Sequence, residues 1–390
     1  MSSQNLFENT EIAFKLKSDS ELERAYFLFK MISNEPLVRI GTVATNFALK
    51  ANLPVEGLIR STVFDHFCGG VNEKDCIQVI DNMFNEGVSC VLDYSVEGKE
   101  DESQFDAAFK KTLELIEFAH QKEATPIAVF KPTGFGRFKL YEKIGNQETL
   151  TLQEHEEWAR VEARYDEVCK LGKERNVEIL IDAEESWMQD AADDLVEKMM
   201  RTYNTEKPIV YNTLQTYRWD RLEYLKKLLE RAKKDNFKLG MKIVRGAYME
   251  KERDRAQEKH YESPICNSKE LTDENFNNTL TFILNNLNDI SLFVGTHNEA
   301  SCYLAMRLMN DIKIDKRDKR VWFGQLYGMS DHISFNLASE GYNVAKYVPF
   351  GPVKDVMPYL IRRAEENTSV AGQTNRELNL LKREKKRRKV

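Results

Sequence analysis

Four side chains near the C-terminal end of the 390-residue chain carry the densest chemistry: Tyr359, Arg362, Arg363 and Glu366, in the run YLIRRAEEN. The helix holding them is expected to start near Pro352, a favourable first-turn residue. At spacings of three and four residues they share one helix face, which presents a phenol, two guanidiniums and a carboxylate. One reading is a solvated face, with Arg362 and Glu366 as an i,i+4 ion pair of roughly a few tenths of a kcal/mol. The other is a fork for a carboxylate, since guanidiniums match its two oxygens bidentately and Glu366 can hold one arginine in place. Further candidates close short apolar runs: Lys131 ends PIAVFK, and Asp182 ends EILID, followed by Ala183, Glu184 and Glu185. The run KIVRGAY carries Lys242, Arg245, Gly246, Ala247 and Tyr248. Its Lys242, Val244 and Gly246 fall on one strand face and Ile243 and Arg245 on the other, and Gly-Ala lets a ligand approach the backbone closely. Phosphate or flavin binding would use all of these features.

Competing chemistries find less support. The six histidines are scattered, and His297 alone sits at an expected strand end, so no metal site is expected. The cysteines at 68, 76, 90, 169, 266 and 302 have neither zinc spacing nor the density of a disulfide scaffold, and are read as reduced packing thiols. A glycine-rich dinucleotide fingerprint and a nucleophile elbow are both missing.

Such side chains need a scaffold, and the pattern from residue 60 onward supplies one. Short apolar runs suited to buried parallel strands alternate with longer stretches of helical period. Eight runs qualify: 62–67, 89–93, 126–131, 178–182, 208–212, 239–245, 291–296 and 321–326. Between them, Phe105, Phe109, Leu113 and Ile116 recur every three or four positions, as do Trp158, Val161, Tyr165 and Val168. Eight strand–helix units predict a (β/α)8 barrel rather than an open doubly wound sheet. Polar groups close seven of the runs (Asp93, Lys131, Asp182, Gln215, Arg245, Thr296 with His297, and Gln325), and a barrel gathers such ends at its catalytic mouth. A Schiff-base aldolase with Lys131 or Lys242 as nucleophile is the alternative, since it too uses a barrel mouth.

The composition, 42% apolar and 31% charged with net charge −6, is that of a chain able to bury its own core, with no field that favours nucleic acid. No apolar run reaches the roughly 18–20 residues of a membrane span. The first thirty residues mix acids with bases and lack an uninterrupted apolar stretch, which argues against a secretory or transit peptide and for the cytoplasm. Residues 1–58 are expected to form a helical extension with Ala25, Phe27, Leu28, Met31 and Ile32 as its apolar stripe. Residues 59–370 are expected to form the barrel, and 371–390 a basic, disordered tail with seven bases and one acid from Lys382 to Lys389. Attraction of that tail to anionic lipid, about 1 kcal/mol per base near the surface, would give peripheral contact with the inner face of a membrane.

Five motifs stand in the order seen in proline dehydrogenases: Asp182-Ala-Glu-Glu-Ser, Lys242-Ile-Val-Arg-Gly-Ala-Tyr, Thr296-His-Asn, Gly324-Gln-Leu-Tyr-Gly-Met and Tyr359-Leu-Ile-Arg-Arg-Ala-Glu-Glu-Asn. The chain resembles that family from about residue 60 to 370, and looks like its monofunctional members, having no room for the fused aldehyde dehydrogenase module of the bifunctional ones. The resemblance implies a distorted (β/α)8 barrel that holds FAD. It implies oxidation of L-proline to 1-pyrroline-5-carboxylate by hydride transfer from C5 to flavin N5, the first step of proline catabolism to glutamate. Electrons would pass to a quinone and the product to a separate 1-pyrroline-5-carboxylate dehydrogenase. Carried over position by position, Lys131, Arg362 and Arg363 would hold the proline carboxylate, and Tyr248, Leu326, Tyr347 and Tyr359 would wall its ring. Asp182 would be the acid beside the substrate and Lys242 the strand cation near the flavin. Ala183, Gln215, Arg245, Gly246, Ala247, Thr296 and His297 would contact FAD, and Glu97 would pair with Arg362 as a gate. Where many bacterial members read Arg-Leu-Val-Lys, this chain reads Lys242-Ile-Val-Arg245, so Lys242 lacks the bidentate fork of an arginine. Met249 replaces a tryptophan of some relatives, and Lys131-Pro-Thr replaces the frequent Lys-Leu-Ser.

Overall fold

The computed structural model describes residues 3–34, 55–95, 100–369 and 371–390, with 36, 38 and 41 singly between the first two stretches; the side chains at 58, 365–369 and 371–373 lie outside the description. Short apolar runs, buried almost throughout, form eight parallel strands: β1 (Val88–Tyr94), β2 (Ile127–Phe130), β3 (Glu178–Ile181), β4 (Val210–Gln215), β5 (Leu239–Val244), β6 (Ile290–Gly295), β7 (Val321–Leu326) and β8 (Val344–Phe350). They neighbour one another in chain order and close into a barrel, with helices in the intervening segments, as the alternation of patterns predicts. Strands covered on both faces need not alternate polar with apolar residues, which is why these runs read as nearly continuous hydrophobic stretches.

The strand set differs from expectation at both ends. Residues 62–67, expected as the first strand, are helical: Arg60–Phe64 forms a π turn that continues into Asp65–Phe67. Thr62 Oγ1 donates back to the Ile59 carbonyl at 3.3 Å, and Phe64 and Phe67, three residues apart, pack into one cluster with Val356, Met357 and Leu360. That is helical spacing, where a strand would have alternated. The eighth strand is instead Val344–Phe350, which reads in sequence as a connection because Lys346 and Pro349 interrupt it. It pairs with β1 over seven residues, from Val88 opposite Val344 to Tyr94 opposite Phe350.

The chain divides into two compact units, one of residues 98–324 and one of 1–97 with 325–390. In the first, an aromatic nest of Phe130, Phe135, Tyr141 and Tyr165 underlies the end of β2; Phe130 and Phe135 stack at 4.4 Å and Tyr165 meets Phe130 edge-on at 5.0 Å. The helix Leu152–Arg175 opens on a capping box of Thr151 and Glu154 and stops at Asn176, whose φ of 56° turns the chain toward β3.

In the second unit, the helix Asp19–Ile32 starts from a capping box of Ser18 and Glu21. It buries Leu22, Ala25, Phe29 and Ile32, a stripe of regular helical spacing, and leaves Phe27 and Met31 exposed, which corrects the expected stripe. The expected disordered tail is likewise corrected, for Ala371–Arg388 is a helix. Its Leu380 and Leu381 are buried against Ala13, Phe14, Leu22, Ala25 and Phe29. Five of its seven bases form ion pairs: Arg376 and Arg383 with Glu8, Lys385 with Glu23, Arg387 and Arg388 with Glu384. A run dominated by charge is here the outer face of a packed helix, and two adjacent leucines were too faint a signal of its inner face. All six cysteines are buried and unbridged, and no described helix is long and apolar enough to cross a membrane.

Candidate functional site

In the unit of residues 98–324, three strands deliver a cation–carboxylate–cation row. Lys131 and Asp182 directly follow β2 and β3, and Lys242 lies within β5. The amide of Asp182 donates to the Phe130 carbonyl at 3.0 Å, extending the β2–β3 ladder by one rung and setting Asp182 beside the chain that bears Lys131. Lys242 Nζ donates to Asp182 Oδ1, while Lys131 Nζ stands 3.5 Å from Oδ2. Burial opposes the charge on Asp182, yet Lys242 and Lys131 outweigh it and hold this carboxyl below the ordinary aspartate range. Two cations against one anion leave the row net positive, the sign an anionic ligand requires. Both lysines are paired to the same carboxylate.

Glu184, two residues beyond Asp182, is buried and accepts from Thr133 twice, at 2.9 Å from the amide and 2.7 Å from the hydroxyl. Burial pushes its carboxyl up to about 7 in spite of these bonds. The sequence shows Glu184 in the strand-end run after Asp182, but its partner is 51 residues away.

The ends of β4, β5 and β6 hold the residues expected to meet a cofactor. Gln215 closes β4, buried, and its Oε1 has no hydrogen-bond partner among the described residues. Gly246 has φ +133°, and a Cβ there would lie 2.5 Å from the Tyr217 ring, so only glycine fits; with Ala247 it leaves exposed backbone. Arg245 is drawn into the protein: Nε donates to Asp273 at 2.7 Å, Nη1 to Thr296 Oγ1 at 2.9 Å and Nη2 to Ser301 Oγ at 3.1 Å, with the guanidinium 4.5 Å from the Phe276 ring centre. Its three nitrogens therefore orient Thr296 and the flanking helices. Thr296 is buried, His297 and Ala183 are half-buried, and Tyr248 precedes the helix Met249–Lys259 with Lys251 Nζ 5.5 Å from its ring centre. A buried acceptor without a partner, an open glycine backbone and a fixed hydroxyl at successive strand ends fit a planar heterocycle with a hydrogen-bonding edge.

In the other unit, Tyr359 and Arg363 are only 5% and 7% exposed, and the Arg363 guanidinium lies 5.2 Å from the Tyr359 ring centre. A solvated face is thereby excluded for these two; Arg362 is half-buried. The side chain of Glu366 and all of Glu97 lie outside the described residues, and with them the expected ion pair and gate. Tyr347 is buried on β8, and its carbonyl accepts from the Tyr327 amide at 2.8 Å, next to Leu326 at the end of β7. Beside Tyr347, the fully buried Lys346 pairs with Asp331 at 2.8 Å and donates to the carbonyls of Met329 at 2.7 Å and Leu326 at 3.3 Å. Lys17 meets the other Asp331 oxygen at 3.2 Å. This cluster escaped sequence reasoning, although a lysine inside an apolar run was a visible sign of it.

An eight-stranded parallel barrel with charged groups gathered at strand C-termini is the frame of a barrel enzyme. The family model for proline dehydrogenase matches residues 76–376. The chain belongs to the proline dehydrogenase family, enzymes that oxidise proline in its catabolism. It is 36% identical over 337 residues to the carbapenem antibiotics biosynthesis protein CarD of Pectobacterium carotovorum subsp. carotovorum, covering 86% of this chain and 87% of that protein. It is 32% identical to mitochondrial proline dehydrogenase 1 of Dictyostelium discoideum over 97% of this chain and 74% of that one. Among solved structures, proline utilization A from Bdellovibrio bacteriovorus, inactivated by N-propargylglycine, superposes with a TM-score of 0.71 at 20% identity. That match covers 94% of this chain but 37% of the longer one, and shows a shared fold.

Proposed function

We propose that this enzyme oxidises L-proline to 1-pyrroline-5-carboxylate with FAD as cofactor and passes the electrons to a quinone. The Lys131–Asp182–Lys242 row carries the reading, because it sets a half-buried, net positive surface on β5 and just beyond the ends of β2 and β3. Ala183, Gln215, Gly246, Ala247, Thr296 and His297 would hold FAD, with Arg245 keeping the Thr296 hydroxyl in place. Bound there, FAD supplies the acceptor for a hydride from proline C5.

The protein's own work is binding and electrostatics. Lys131, Arg362 and Arg363 take the substrate carboxylate, the arginines through their planar donors. Tyr248, Leu326, Tyr347 and Tyr359 wall the ring. The positive field lowers the pKa of the substrate ammonium and frees its nitrogen lone pair to assist loss of hydride. Asp182 holds both lysines in register with one carboxylate.

Replacing Arg363 with Met is expected to raise KM for proline by about 100-fold, as for a lost charge-assisted bidentate contact, with flavin content unchanged. An unchanged KM would overturn the carboxylate assignment. Tyr347 is expected to crowd a hydroxylated ring, and 4-hydroxyproline oxidised as efficiently as proline would refute that role. Anaerobic mixing of proline-reduced enzyme with a soluble quinone should reoxidise the flavin within turnover time; failure to do so removes the quinone. The same reading places the enzyme in the cytoplasm, in peripheral contact with the inner membrane face and supplying a separate 1-pyrroline-5-carboxylate dehydrogenase. Complete recovery in the soluble fraction at low salt would refute the membrane contact.

A further inference from the structure

Lys131 stands where regular structure has just ended: β2 stops at Phe130, and Pro132–Gly134 turns away in a single 3-10 turn. A long, flexible side chain on such a turn is only as well placed as the turn itself. The turn is held from two directions. On its carbonyl side, the buried Tyr141 hydroxyl donates to the Pro132 carbonyl at 2.9 Å. On its amide side, Glu184 accepts from both donors of Thr133, at 2.9 and 2.7 Å.

Glu184 is itself anchored. Its amide donates to Gln189 Oε1 at 3.0 Å, Gln189 Nε2 donates to Asp193 at 2.8 Å, and Asp193 accepts from Asn212 on β4 at 2.9 Å and from Arg221 at 2.8 Å. Glu184 and Thr133 each lie two residues beyond a member of the Lys131–Asp182 pair. The β2–β3 ladder thus continues past the strands as two side-chain rungs, the first meeting the substrate and the second joining a half-buried Thr133 to a buried Glu184. An apolar pair could fill the second position; a buried carboxylate with two donors fixes direction as well as distance.

We propose that Glu184 and Thr133 form a latch that sets the position of the Lys131 ammonium, making Glu184 a positioning residue for the substrate carboxylate. The inference rests on the reading that Lys131 meets that carboxylate. Thr133→Val removes the hydroxyl donor at nearly constant volume. It is expected to raise KM for proline about tenfold, the scale of one hydrogen bond to a charged group, with kcat and flavin content retained. The inhibition constant of acetate, a bare carboxylate, should rise in parallel, and Thr133→Ser should return both to within about twofold of the native enzyme. Because the latch acts through Lys131, adding Thr133→Val to Lys131→Met should raise KM no further than Lys131→Met alone.

An unchanged KM in Thr133→Val beside a raised one in Lys131→Met overturns the latch and leaves the substrate reading intact. A full additional increase in the double variant also overturns it. An unchanged KM in Lys131→Met overturns the substrate reading and the latch with it. If Thr133→Val does not accumulate as flavin-loaded protein, Glu184→Gln replaces one acceptor oxygen with a donor at the same size. A raised KM there supports the latch, and a native KM overturns it.

Discussion

The enzyme contains the same three-residue motif of charge twice, an aspartate between two lysines, and uses it in two ways. Around Asp182 the members come from the ends of β2 and β3 and from β5, and Lys131 and Asp182 keep 16% and 17% of their side-chain surface exposed. Around Asp331 they come from the N-terminal extension, the helix Asp331–Ser339 and β8, and Lys346 is sealed, spending its remaining donors on two backbone carbonyls. A buried ion pair contributes little net stability, but losing one partner strands the other charge. The closed cluster is therefore a structural joint that punishes mutation by unfolding. In the row that keeps contact with solvent, the same loss should appear in turnover.

Breaking each carboxylate tests this contrast. Asp331→Ala leaves Lys346 buried without its counter-ion and should cost about 3–5 kcal/mol in denaturant unfolding, with turnover per flavin-loaded molecule nearly native. Asp182→Asn should lower kcat/KM by about 100-fold, the usual scale for one preorganised electrostatic group, and shift Tm by only a few degrees. If both variants failed in the same measurement, the distinction would be lost.

Next in size is the terminal helix. Leu380→Ala should cost about 2–5 kcal/mol, as for a fully buried leucine, and would refute the packed tail if stability were unchanged.

The pH dependence of stability separates the two kinds of carboxyl further. Asp331 is held below its ordinary range, with burial opposed and outweighed by Lys346 and Lys17. The folded state thus binds this proton less tightly than the unfolded chain. Its stabilisation is complete above the unfolded value of about 3.9 and is lost as pH falls through the depressed one. Glu184 has the opposite sign: burial pushes it up to about 7, so stability is greatest below the unfolded value of about 4.3 and declines as pH rises toward 7. Urea midpoints between pH 4.5 and 7.5 should therefore fall less steeply for Glu184→Gln than for the native enzyme. The smallest effect is expected at the surface: Arg383→Ala, from a pair with Glu8 in which both side chains are well exposed, should change stability by less than about 1 kcal/mol.

Much of the barrel was legible because each strand–helix unit announces itself locally, by a short apolar run and then a helical stripe. Seven runs overlap strands, and the misread one, 62–67, shows the limit of that signal: a short apolar segment looks alike in a strand and in a buried helix. Val344–Phe350 was missed for the complementary reason, since Lys346 breaks the apolar pattern and the partners that neutralise it lie in other elements. The tail was missed because its charge was visible and its acidic counterparts at Glu8 and Glu23, far away in sequence, were not.

The sequence by itself determined the kinds of chemistry available, the alternation that demands a barrel, and the motifs that mark the family, because these are local in the chain or fixed in their order along it. Only the tertiary structure decided that Lys131 and Lys242, 111 residues apart, share Asp182, that Arg245 turns inward to hold Thr296, and that Glu184 reaches back to Thr133. The physical reason is that a buried charge is defined by its partner. Barrel register, which brings partners together across strands, depends on how all eight strands close.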